Sequence, residues 1–112
     1  MRVDKKSLFV GIVICLLPIL IGVYYFDVLP DQIAVHFNFK GEPDNFVSKT
    51  RAIIEIPVFF TVVQIIISLV VDFDKTPKKG ALIIKGIVPI LSVLVQGGIV
   101  AYALDNNFNV PQ

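Results

Sequence analysis

Three long apolar blocks organise this chain. Leu8 to Phe26, Ile56 to Val71 and Gly86 to Leu104 run for 19, 16 and 19 residues without a formal charge. A helix needs roughly 20 apolar residues to cross about 30 Å of hydrocarbon, so the pattern predicts three transmembrane helices, over about 8–26, 53–71 and 84–104. The middle block alone reaches only about 24 Å. Adding Ile53 and Ile54 brings it to length and takes in Glu55, which then belongs at a membrane boundary, where a carboxylate costs far less than at the bilayer centre.

The connection over 27–52 is longer than two neighbouring helices require. Within it Ile33, Val35, Phe37 and Phe39 alternate with Ala34, His36, Asn38 and Lys40, the period of a strand with one apolar face. Gly41-Glu42-Pro43-Asp44-Asn45 supplies turn chemistry, and Phe46 and Val47 start a return strand. A lone hairpin is marginal in water, so its apolar face should rest on the membrane surface or on the helix ends. The expected fold is an all-α integral membrane protein: one membrane domain over 1–112, three transmembrane helices, a short β-hairpin-like extracytoplasmic loop and a cytoplasmic loop at 72–80.

Polar residues inside the later blocks are patterned too. Pro57, Thr61, Gln64 and Ser68 follow offsets of 0, 4, 7 and 11, and Lys85, Pro89, Ser92 and Gln96 repeat them. Each set lies on one helical face. An unpaired amide in mid-membrane is expensive, so the two stripes are expected to meet and hydrogen-bond, with Gly97 and Gly98 admitting a neighbouring backbone. Glu55 and Lys85 lie near interfaces and are expected to snorkel.

Composition agrees with this pattern: 55% of residues are hydrophobic and the mean hydropathy is +0.81, above the roughly 45–50% of soluble domains. Charge adds an orientation. Arg2, Lys5, Lys6, Lys75, Lys78, Lys79 and Lys85 fall on one side, and only Lys40, Lys49 and Arg51 on the other. The positive-inside rule then predicts a cytoplasmic N-terminus and an extracytoplasmic C-terminus in a cell membrane. The first block exceeds a signal-peptide core and lacks a small-x-small site after it, so it should remain as an anchor. Cys15, the single cysteine, should pack as a small hydrophobe.

Catalytic patterns are missing. No nucleophile is paired with a base, and no phosphate-cradling glycine loop or metal-ligand spacing occurs. His36 with Asp31 or Asp44 fits no metal motif, and a hydrogen bond from His36 to the turn after it is the simpler expectation. Lys49 and Arg51 are expected as headgroup anchors. The chain is not expected to be an enzyme, to carry a cofactor or metal, or to bind nucleic acid.

The run from Leu29 to Asn38, with Gly41-Glu42-Pro43-Asp44 and Ser48-Lys49, resembles the signature of a bacterial and archaeal membrane domain of unknown function. That domain forms the N-terminal part of the SdpI immunity protein family, though Ala34 stands where family members often carry proline. The resemblance implies a binding or protective protein whose loop residues Pro30, His36, Asn38, Gly41, Asp44 and Lys49 meet a toxin peptide or an envelope component. The alternative expectation is a transport component or small assembly subunit using Thr61, Gln64, Ser68, Lys85, Ser92 and Gln96. Expected partners are the lipid bilayer, a peptide toxin or another membrane protein, and further copies of the chain, since three spans alone enclose little.

Overall fold

A computed structural model describes residues 3–106. Its elements are α1 (Lys5–Leu16), α2 (Pro18–Tyr24), a 3-10 turn at Phe26–Val28, β1 (Gln32–Phe37), β2 (Pro43–Ser48), α3 (Lys49–Phe73) and α4 (Lys78–Asn106). Three helical stretches, Lys5–Tyr24, Lys49–Phe73 and Lys78–Asp105, are long and apolar enough to cross a membrane, as expected of a multi-pass membrane protein. They outrun the apolar blocks because polar residues at their ends still favour helix. Asp4 caps α1 by accepting the Ser7 N–H, and Ser48 caps α3 by accepting that of Arg51. The link between α3 and α4 is consequently four residues, 74–77. It turns at Lys75, whose φ of 57° is the left-handed conformation that often ends a helix.

The first span is interrupted. Pro18 has no N–H for the carbonyl four residues back, and α1 gives way there to α2. Gly11, Cys15, Pro18 and Gly22 are the buried residues of these two helices, and they too follow offsets of 0, 4, 7 and 11. Small side chains on this face let α1 and α2 lie against both α3 and α4. A Cβ on Gly11 would come within 2.5 Å of Gln64 Nε2, and one on Gly22 within 2.4 Å of Ile53. The expected close approach at Gly97 and Gly98 does not occur, for a Cβ at either would meet nothing within 4 Å.

The two strands pair antiparallel, with Ile33 opposite Val47 and Ala34 opposite Phe46. Simple alternation then fails. Val35 and Asp44 each lack a directly opposed partner as the register shifts on either side of His36, and such bulges twist a ribbon. Both Ile33 and Ala34 are buried as a result, while Phe39 lies beyond the strand, fully exposed at the tip. The hairpin's apolar face rests on the helix ends, in a cluster of Leu29, Ile33, Ala52, Ile53, Ile99, Val100 and Ala103. Phe37 adds an edge-to-face contact with Tyr102 at 5.0 Å.

Candidate functional site

The centre of the bundle is polar. Gln64, Ser68, Ser92 and Gln96 are buried, whereas Phe59, Ile66, Ile83 and Leu94 on the same helices, and Phe9 and Leu20 on the first span, are exposed. Pro57 offers no N–H to the Ile53 carbonyl and Pro89 offers none to that of Lys85. Each orphaned carbonyl is taken by the glutamine of the opposite helix. Gln64 Nε2 donates to Lys85 O at 2.8 Å, and Gln96 Nε2 donates to Ile53 O at 3.3 Å. A proline seven residues before a glutamine, on two antiparallel helices, therefore forms a reciprocal clamp.

The stripes do meet, but through glutamine-to-backbone bonds. Near the third proline a different carbonyl is taken: Ser92 Oγ donates to Cys15 O at 2.9 Å, one residue past the Ile14 carbonyl to which Pro18 offers no N–H. Thr61 serves its own helix, donating to Pro57 O at 2.8 Å. Gln64 Oε1, Gln96 Oε1 and Ser68 Oγ have no hydrogen-bond partner among the described residues. Cys15 is fully buried, with Sγ 3.9 Å from Phe60 O.

Lys85 departs from expectation, because it turns inward. Its Nζ donates to Asp72 Oδ1 at 2.7 Å and to Ser7 Oγ at 3.0 Å, and its side chain is 6% exposed. A buried ammonium needs such a partner. Asp72, expected in the connecting loop but lying in the last turn of α3, is that partner and also accepts the Asp4 N–H at 3.0 Å. Three segments are thereby tied at the turn end of the bundle. The signal for Asp72 was its place about one turn beyond Ser68, on the same face.

At the hairpin end the loop-motif residues do two things. Pro30 is buried beneath the hairpin. Lys49 Nζ donates to the Phe26 carbonyl at 2.7 Å and lies 4.2 Å from the Phe26 ring centroid, while its N–H bonds Asp31 O. That lysine thus closes the end of the first span and is half-buried. Asn38 Oδ1 accepts the N–H groups of Lys40 and Glu42 at 2.9 and 3.0 Å, and Gly41, at φ 79°, completes a turn that a side chain would strain. His36 Nδ1 lies 2.6 Å from Asp44 Oδ1 on the exposed face. Arg51 pairs with Glu55 one helical turn away at 2.8 Å, both exposed. Among the described residues no three His, Cys, Asp or Glu side chains gather closely enough to hold a metal ion.

The segment that builds this end is similar to a described domain. Residues 13–61 match the family model of a domain of unknown function, DUF1648. The match runs from mid-α1 through the hairpin into the first half of α3, and so includes Pro18, the loop motif and Pro57. It concerns that domain and not the SdpI immunity proteins in particular. No curated protein and no solved structure matches the chain.

Proposed function

We propose that the protein is a membrane-anchored recognition module that presents its hairpin on the extracytoplasmic face and intercepts a peptide or envelope component there, without chemistry. The observation that carries this is Phe39. A fully exposed phenylalanine stands at the tip of a short turn, between Asn38 and Lys40, in a loop that Asn38 and Gly41 hold in one shape. The hairpin base is meanwhile fixed by Lys49 and the cluster around Ile33. Aromatic side chains, phenylalanine included, are enriched at the cores of recognition surfaces, and a fixed loop loses little entropy on binding. The seven-to-three division of lysine and arginine supports the outward orientation, and the resemblance to the immunity family supports a toxin peptide as the ligand.

Cells lacking the protein should become sensitive to such a peptide. A photo-crosslinker in place of Phe39 should capture the ligand, and Phe39→Ser should abolish protection at an unchanged membrane level. Full protection by Phe39→Ser would overturn the proposal.

A second reading, a transport component, draws on the unpaired acceptors of Gln64, Gln96 and Ser68 in mid-bundle. Gln64→Leu with Gln96→Leu separates the two: recognition predicts a less stable protein that still protects, transport a protein of normal assembly without activity.

A further inference from the structure

A cavity of about 520 Å³ opens at the turn end between α1 and the first half of α4. Its walls are apolar, with Val10 and Ile14 on one side and Leu82, Pro89 and Ile90 on the other. Gly86 leaves it unfilled, for a Cβ there would meet nothing within 4 Å. The mouth is different in kind, since Lys6 and Lys78 line it and both are exposed.

We propose that this groove binds one anionic phospholipid, with its phosphate against Lys6 and Lys78 and one acyl chain between α1 and α4. Length, charge and wall chemistry agree on that occupant. From Lys78 to Ile90 the α4 wall runs about 18 Å at 1.5 Å per residue, close to the roughly 15 Å depth of one hydrocarbon leaflet. The lysines stand at the polar end, where basic residues between helices favour anionic headgroups. Lys85 also lines the groove but is committed to Asp72, so that pair adds no net charge. The acid that lines the mouth, Asp4, is engaged through Oδ1 with the Ser7 N–H, and its single charge leaves the two lysines in excess. The first turns of α1 and α4 both lie here, adding the positive ends of their dipoles. The site stands apart from whatever the hairpin recognises.

Native mass spectrometry of the full chain released from detergent tests the assignment. Palmitoyl-oleoyl-phosphatidylglycerol should be retained as one molecule per chain, and phosphatidylcholine with the same chains about tenfold less. Glycerol phosphate, which offers the same anion without a chain, should not be retained. Lys6→Gln with Lys78→Gln should weaken phosphatidylglycerol about tenfold and leave phosphatidylcholine unchanged, whereas Gly86→Leu, which fills the groove, should remove both. Equal retention of the two lipids by the unaltered protein, or no loss in the lysine variant, would overturn the proposal. So would retention of glycerol phosphate, or a lipid-free dimer that Gly86→Leu dissociates.

Discussion

The middle of the bundle and the hairpin cap are built on opposite plans. In the bundle, glutamines and serines lie inside and phenylalanines, isoleucines and leucines outside. Beneath the cap, Leu29, Ile33 and Ile53 lie inside, while His36, Lys40 and Glu42 face out. The difference follows from the surroundings each is built for. Lipid gives no hydrophobic reason to bury leucine, and close backbone approach with satisfied polar groups holds helices together there. Water restores the hydrophobic term, so the cap buries apolar area in the ordinary way. The two plans meet at Ile53, whose side chain belongs to the cap's core while its carbonyl accepts the Gln96 amide.

That contrast can be broken at each end. Lys85→Met should have the largest effect, about 3–5 kcal/mol, because it strands the Asp72 carboxylate inside the turn end. Adding Asp72→Leu should recover most of the loss in detergent unfolding. If the double variant is no better than the single, the pair is not what matters there. Ile33→Ala removes apolar volume from the cap's core and should cost about 2–4 kcal/mol. Its effect should be confined to the hairpin end, seen as faster proteolysis near Gly41 while the helical signal holds.

The glutamine clamp should show a smaller and more specific effect. Gln96→Leu leaves Ile53 O without a donor and should cost about 1 kcal/mol. Pro57→Ala gives that carbonyl an intrahelical N–H, so it should rescue Gln96→Leu and fail to rescue Gln64→Leu; Pro89→Ala should do the reverse. Rescue without this pairing would mean that the clamp is not reciprocal. Smallest is the pH effect at Asp4. The Ser7 N–H holds its carboxyl below the usual carboxylate range, so the stability it contributes is present at neutral pH and fades as pH falls through its lowered pKa. Asp4→Ala should remove that part of the acid sensitivity, measured as thermal unfolding against pH.

Three spans, a hairpin and two polar stripes were legible in the apolar blocks, the alternation from Ile33 to Phe37 and the paired offsets. Each is a periodicity, and periodicity assigns a face without naming the neighbour. The inward face of the first span is not marked by polarity, because Gly11, Cys15, Pro18 and Gly22 carry none, although their spacing repeats that of the stripes. Lys85 was expected to reach for solvent because nothing local revealed that Asp72, 13 residues away in the preceding helix, would face it.

The sequence by itself determined which segments avoid water, since that depends on composition over windows of a few residues. Only the tertiary structure decided what the polar residues are for. A proline's orphaned carbonyl and the glutamine that answers it lie on different helices, 21 residues apart for Gln64 and Lys85 and 43 apart for Gln96 and Ile53. A hydrogen bond across such a separation exists only once the helices have packed.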